Sequence, residues 1–132
     1  MAITKDDGTK ILDVASIGGN SSSALSDCSA VELSIDTTLA LTAVVNFDSS
    51  ATEDVRVHVR SSYDGSNYDT VDIGASQQGY WDVPVNAGSE VQSTTNEWTD
   101  PKYLKVIVEN LDSNATGQVQ VYATTQEVSA TA

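Results

Sequence analysis

Val55-Arg56-Val57-His58-Val59-Arg60 alternates apolar and ionisable side chains without a break. In an extended chain successive side chains point to opposite faces, so the three valines share one surface and Arg56, His58 and Arg60 share the other. This segment predicts a strand with one face buried and one solvated. The same period runs outward on both sides. Upstream, Leu39, Leu41, Ala43, Val45 and Phe47 fall on one side, preceded by Val31, Leu33 and Ile35. Residues 10–14 form an earlier, short strand candidate. Downstream, Asp64-Gly65 marks a tight turn in which glycine supplies a positive φ, and residues 68–73 read as the returning partner strand. Residues 79–85 place Trp81, Val83 and Val85 on one face, with Pro84 pointing to an edge or an early end. Residues 90–94 read as a weaker strand. The closing pair is 103–111, with Leu104, Val106 and Val108 inward, and 118–124, with Val119 and Val121 inward. Residues 112–117 join that pair as a hairpin loop. No stretch has a helical period, and no internal repeat is visible.

Eight or nine short strands at spacings of roughly 8 to 15 residues predict an all-β chain, a single antiparallel β-sandwich of jelly-roll or immunoglobulin-like topology. The expected organisation is an N-terminal strand and small-residue arm over 1–29, the sandwich over 30–126 and a C-terminal tail over 127–132 that either adds to an edge or stays mobile. The arm rests on 15–30, a run of small and polar residues around Gly18-Gly19 that reads as a loop.

Composition supports strands: the 132 residues include 16 Val against 7 Leu and 6 Ile, with 17 Ser and 14 Thr. Six Lys and Arg against 19 Asp and Glu leave a formal net charge of -13. Such a surface repels nucleic-acid phosphate, and the cations Lys5, Lys10, Arg56, Arg60, Lys102 and Lys105 are scattered along the chain, so no nucleic-acid partner is expected. No apolar run has the length of a membrane helix, and Met1-Ala2-Ile3-Thr4-Lys5-Asp6-Asp7 lacks the basic start and apolar core of a signal peptide. Neither a membrane partner nor export by that route is expected. Asn20-Ser21-Ser22 and Asn114-Ala115-Thr116 fit the glycosylation sequon, but that absence makes them chance matches. Cys28 is the only cysteine, which leaves no internal disulfide and no cysteine-based metal site, and predicts a buried free thiol.

Catalysis needs a nucleophile, a base or a metal cluster held in one place. His58 is the only histidine and sits mid-strand between two arginines, so the chain is expected not to be an enzyme and to carry no cofactor. Arg56, His58 and Arg60 form a small cationic stripe, with Asp69 or Glu109 as expected cross-strand partners, and this stripe is one candidate interface. Tyr63, Tyr68, Trp81 and Trp98, with Tyr80, fall in loops and at strand ends, where aromatics anchor interfaces or stack on sugars. Asp64, Asn67, Asp69 and Asp72 offer oxygens near the turn, but their spacing is not that of a calcium loop and turn chemistry accounts for Asp64 and Asn67 without metal.

The segment Val57-His58-Val59-Arg60-Ser61-Ser62-Tyr63-Asp64-Gly65-Ser66-Asn67-Tyr68-Asp69-Thr70 resembles a pattern of small β-sandwich proteins: a strand, Ser-x-Asp-Gly-x-Asn-aromatic, then a returning strand. Lys102-Tyr103-Leu104-Lys105-Val106-Ile107-Val108-Glu109-Asn110, followed by Gly117-Gln118-Val119-Gln120-Val121-Tyr122, is similar to the closing hairpin of the same group. Together these segments resemble short structural proteins of tailed bacteriophages and related archaeal viruses, including capsid decoration (cement) proteins and tail components. They also look like parts of discoidin-type and other carbohydrate-binding sandwiches. The resemblance implies a virion structural protein that binds the major capsid protein as a homotrimer and stabilises the outer shell, made in the host cytoplasm and carried on the capsid surface. A tail component and a carbohydrate-binding module are the alternatives it leaves open.

Overall fold

The computed structural model describes residues 2–5, 8–33, 37–73, 79–95 and 102–129. Among them run nine strands: β1 (Ala2–Lys5), β2 (Thr9–Val14), β3 (Val31–Glu32), β4 (Thr37–Asn46), β5 (Val55–Ser62), β6 (Tyr80–Val83), β7 (Glu90–Thr94), β8 (Tyr103–Asn110) and β9 (Val119–Ser129). One short 3-10 turn, Leu25–Asp27, is the only helical element among the described residues.

The pairings are nested. β2 pairs β9, β3 pairs β8, β4 pairs β7 and β5 pairs β6, all antiparallel. From β2 onward the chain is therefore one long hairpin whose tip is the β5–β6 connection. Rolling that hairpin brings β4 against β9 and β5 against β8, and the ribbon becomes two sheets. One has the order β1-β9-β4-β7, with β2 beside β1 on the same edge of β9, and the other β3-β8-β5-β6. That order is a jelly roll, which settles the choice left open between two sandwich topologies.

Alternation places the core as expected. Val55, Val57, Val59, Val106, Val108, Val119 and Val121 are fully buried between the sheets, with Leu39, Leu41, Ala43 and Val45 facing them. Val31, Leu33 and Val83 are also buried, and Trp81 and Val85 pack against the core from the rim. Ile35 lies outside the described residues.

Three expectations are corrected. Residues 68–73 do not form a regular strand: Tyr68 makes an isolated bridge to Ser62, and beyond it the Asp69 and Ile73 N–H groups donate to the Ser61 and Val59 carbonyls at 2.9 Å each. The chain follows β5 back irregularly before β6 takes over the pairing. Nor are residues 9–29 a detached arm. β2 pairs β9, Ile11, Leu12, Ile17 and Cys28 are buried, and the following segment lies along the free edge of β8. There the Ser23 hydroxyl accepts the Val108 N–H at 2.9 Å and the Cys28 sulfur accepts the Val106 N–H at 3.3 Å. Small polar residues are needed because their side chains satisfy β8 donors that lack a regular strand partner. Burial pushes the Cys28 thiol up from its ordinary pKa, which keeps it protonated and inert. Finally, residues 127–129 are no separate tail: they continue β9, with Glu127 in register with Thr4 on one side and Thr37 on the other.

One end of the roll is closed by two buried polar residues, Asn110 and Asp112, exposed to 1% and 2%. The Asp112 carboxylate accepts the backbone N–H groups of Thr52 (2.6 Å), Glu53 (2.8 Å) and Asn114 (2.7 Å). The Asn110 amide donates to the carbonyls of Ile17, Gly18 and Asn114, and its oxygen accepts the Asp112 N–H. Three loops that share no sequence neighbourhood are thereby tied together. Their approach is close: a Cβ on Gly19 would collide with the Ser113 carbonyl.

Replacing Leu41, fully buried at the centre of β4, with alanine is expected to cost about 3 kcal/mol and to lower the melting temperature by about 10 °C, read by thermal denaturation. The backbone N–H groups of Thr52 and Asn114 hold the Asp112 carboxyl well below the usual carboxylate range. A carboxyl depressed in the native state stabilises the fold above its unfolded pKa, and that contribution is lost as pH falls through the native value. Asp112→Asn is therefore expected to lower the urea midpoint at pH 7 and to flatten its dependence on pH across the acid range. A variant with the wild-type midpoint at neutral pH refutes the role given to Asp112.

Candidate functional site

Residues outward-facing on β5, β6 and β8 build the surface that carries the cationic stripe. Register sets Arg56 between Asp82 and Glu109, His58 between Tyr80 and Ile107, and Arg60 beside Lys105. Every member of the stripe is engaged. Arg56 donates to both oxygens of Asp82, at 2.7 and 3.2 Å, and its guanidinium lies 4.4 Å from the Tyr80 ring centroid. His58 is only 15% exposed at its side chain and lies between two carboxylates, with Nδ1 at 3.0 Å from Asp72 and Nε2 at 2.9 Å from Glu109. Each contact is a hydrogen bond only where that nitrogen carries a proton. Arg60 Nε donates to the other Asp72 oxygen at 3.1 Å. Asp72 thus fastens the irregular strand after Tyr68 onto two residues of β5.

Of the partners expected from sequence, Glu109 pairs with His58. The Asp69 side chain instead accepts the Ser61 hydroxyl at 2.8 Å, and only its backbone carbonyl faces Arg60. Asp72 and Asp82 are the partners that sequence reasoning missed. Asp82 follows from extending the alternation of β6 against β5. Asp72 carries no such signal, because the turn before it breaks the period.

The turn itself behaves as read. Gly65 has φ +81°, and the Asp64 carboxylate accepts the N–H groups of Ser66 and Asn67 at 2.9 and 2.8 Å. Those donors, with Asn67 first, hold the Asp64 carboxyl well below the usual range. Asp64, Asp69 and Asp72 each serve a different neighbour, and no group of three or more His, Cys, Asp or Glu suited to a metal ion occurs among the described residues.

The aromatics do not assemble into one platform. Tyr63 stands 81% exposed on the β5–β6 connection, the same connection that carries Val71 at 67%. Tyr68 lies under the Lys105 ammonium, 5.1 Å from its ring centroid, with its hydroxyl buried and unbonded. Trp81 packs against the core, its indole nitrogen also buried without a hydrogen-bond partner. Trp98 lies outside the described residues.

The opposite face of the sandwich differs in kind. On the outside of β4, β7 and β9, Thr42, Val44, Glu90, Gln92, Gln120, Tyr122 and Thr124, with Gly8 at the rim, line an open groove of about 490 Å³. Sequence reasoning passed over it, although the outward positions of the same three strands show it as a run of uncharged Thr, Gln and Tyr. No described helix is long and apolar enough to cross a membrane.

Fold and surface together define an all-β jelly-roll domain with one face of paired charges and an opposite face whose groove is lined by uncharged polar residues and Glu90, with the Lys10–Asp13 pair beside it. Comparison with protein-family models, with curated proteins and with solved structures returns no match for the chain.

Removing the Asp72 carboxylate should free the strand it fastens. Asp72→Ala is expected to cost about 1 kcal/mol, in the range of a partly exposed ion-pair network. Hydrogen exchange should quicken at the Asp69 and Ile73 amides while Val57 and Val108 keep their protection. Unchanged exchange at Ile73 would show that the ion pairs do not hold this segment.

Proposed function

We propose that the chain is a non-enzymatic virion structural protein, a capsid decoration protein that binds the major capsid protein on the outer shell as a homotrimer. The observation that carries the reading is where the two resembling segments fall. One forms β5 and the turn after it, the other forms β8 and β9, and the pairings of β4 with β9, β5 with β6 and β5 with β8 run through them. A preformed domain of this kind loses little conformational entropy on docking, so repeated shallow contacts suffice to hold it on a lattice of identical sites.

Attachment through a free N-terminal arm is not part of this reading, because residues 9–29 belong to the sandwich. Contact is assigned instead to the β5–β6 connection. Tyr63 and Val71 are the exposed large hydrophobic residues among those described, and both lie on it. Aromatic anchors such as tyrosine dominate the energetics of protein interfaces, and an exposed aliphatic beside one adds apolar area to be buried. The stripe of Arg56, His58 and Arg60 beside it supplies a rigid base, with its charges already matched by Asp72, Asp82 and Glu109.

Density-gradient sedimentation of particles from the native source, followed by mass spectrometry, is expected to find this chain migrating with a major capsid protein in a fixed copy ratio, in tailless heads as well as whole particles. Recombinant protein carrying Tyr63→Ser and Val71→Ser should keep its melting temperature and lose occupancy on stripped particles. Recovery with tails alone would move the reading to a tail component, and absence from particles would overturn it.

A further inference from the structure

We propose that the groove on the outer face of β4, β7 and β9 is a binding site for a neutral oligosaccharide. Its construction follows from register. Thr42 sits between Thr94 on β7 and Tyr122 on β9, and Val44 sits between Gln92 and Gln120. Adjacent strands lie about 4.8 Å apart, so these side chains form a closely spaced grid of hydroxyls, carboxamides and one phenol. Part of the grid is held in place internally. The Thr42 and Thr94 hydroxyls share a hydrogen bond of 2.8 Å, and the Tyr122 hydroxyl donates to the Gln120 amide oxygen at 3.2 Å. No described residue takes up the carboxamide of Gln92 or the hydroxyl of Thr124, and both line the groove.

Gly8 keeps one end of the groove open. A Cβ at this position would lie 3.2 Å from the Tyr122 Cβ, 3.5 Å from the Thr124 hydroxyl and 3.7 Å from the edge of the Tyr122 ring. Any larger residue would rest on that tyrosine.

The chemistry selects the ligand class. The lining contains no cation, Lys10 across from Tyr122 is paired with Asp13 at 2.8 Å, and the molecule carries a net charge of -13, so phosphorylated and other anionic ligands are disfavoured. Glu90 is the one ionisable carboxyl in the lining, far short of the six to eight oxygens of a calcium site. Backbone donors and acceptors of β4 and β9 are engaged in the sheet ladder, so the floor of the groove offers none to a peptide strand, and a strand added at the free edge of β7 would lie beside the groove and not in it. A protein partner would meet Val44 and Tyr122 as the only apolar groups of the lining, too little for the apolar centre of an interface. What the groove does offer is groups that both donate and accept hydrogen bonds beside an aromatic ring. A neutral sugar presents the complement, hydroxyls of both characters around an apolar C–H face. The volume falls within the ordinary range for small-ligand sites, about 300 to 1,000 Å³.

This site is independent of the virion reading, since it uses neither the β5–β6 connection nor a capsid partner. The test is an NMR titration of the full chain with linear gluco-, manno- and galacto-configured hexasaccharides. Expected are saturable shifts at amides of β4, β7 and β9 with at least one of the three, weakened about tenfold or more by Tyr122→Ala and by Gly8→Val at unchanged melting temperature. Absence of shifts with all three sugars at tens of millimolar overturns the proposal. So do shifts confined to the Tyr63 loop, or full affinity in both variants. Sedimentation with the capsid is read separately, so failure of one proposal leaves the other standing.

Discussion

Pairing of β4 with β9 is the constraint on which the rest depends. It runs over nine register positions, from Thr37 with Glu127 to Val45 with Val119, and joins strands from distant parts of the chain. Without it the nested hairpin stays an open ribbon with one face of each strand in water. Register is fixed by the pattern itself. Leu41 meets Ala123, Ala43 meets Val121 and Val45 meets Val119 on the inner face, so a slip of one residue would turn the whole row outward. The same register determines the outer face, where Thr42 meets Tyr122 and Val44 meets Gln120. Core and groove are two sides of one pairing. Contacts of such long sequence separation cost loop-closure entropy before they are rewarded, which is the physical ground for slow folding of this topology.

A rolled ribbon leaves edges and loop ends with backbone groups to satisfy, and this chain meets that demand with side chains. Ser23 and Cys28 complete the free edge of β8 where the neighbouring segment is too irregular to form a ladder. Asn110 and Asp112 do the same for three loops at the end of the sandwich, and Asp54 accepts the Val85 N–H at 2.9 Å. Several of the abundant Asp and Ser residues are thus structural acceptors. The acidic composition is in part a consequence of the topology, because a carboxylate accepts several N–H groups at once and few other side chains do.

These facts also explain what was legible in the sequence. Strict alternation in β4, β5, β8 and β9 identified their inner faces residue by residue, because a strand buried on one side tolerates little else at those positions. Asp64-Gly65 was legible as a turn because its φ requirement is local. The course of residues 68–73 was not, since a returning strand and an irregular return both begin after the same turn and are distinguished only by Asp72 reaching Arg60 and His58. Residues 15–30 do form the expected loop, with one 3-10 turn, and only their reading as an arm failed, for a related reason. Small polar residues mark exposed loops, yet here they fit a narrow edge beside β8, and the information that separates the two lies in β8 itself. Jelly-roll topology was out of reach because alternation says which face is buried and nothing about which strand is the neighbour. At the candidate site, the stripe of Arg56, His58 and Arg60 was visible, whereas its neutralisation by Asp72 and Asp82 depended on pairings of that kind.

Two outward faces built from one alternation have diverged in chemistry, and their contrast bears on how such a domain could work on a particle. On β5, β6 and β8 each cation has a carboxylate within 3.1 Å or an aromatic ring beneath it, so that face is stiff, and its charges are already compensated. Interfaces formed by such a face gain little from further ion pairs, since a partner's charge would compete with one already in place. Apolar anchors at its margin, Tyr63 and Val71, are then the groups left to provide affinity. On β4, β7 and β9 the polar groups lining the groove are, apart from Glu90, uncharged and only partly paired, which suits a ligand that exchanges water for hydrogen bonds of similar strength. The sheets pack back to back, so a body held through the margin of one face leaves the other turned away from the attachment. On the proposed reading, the geometry that closes the roll also separates the anchoring surface from the sugar-binding one.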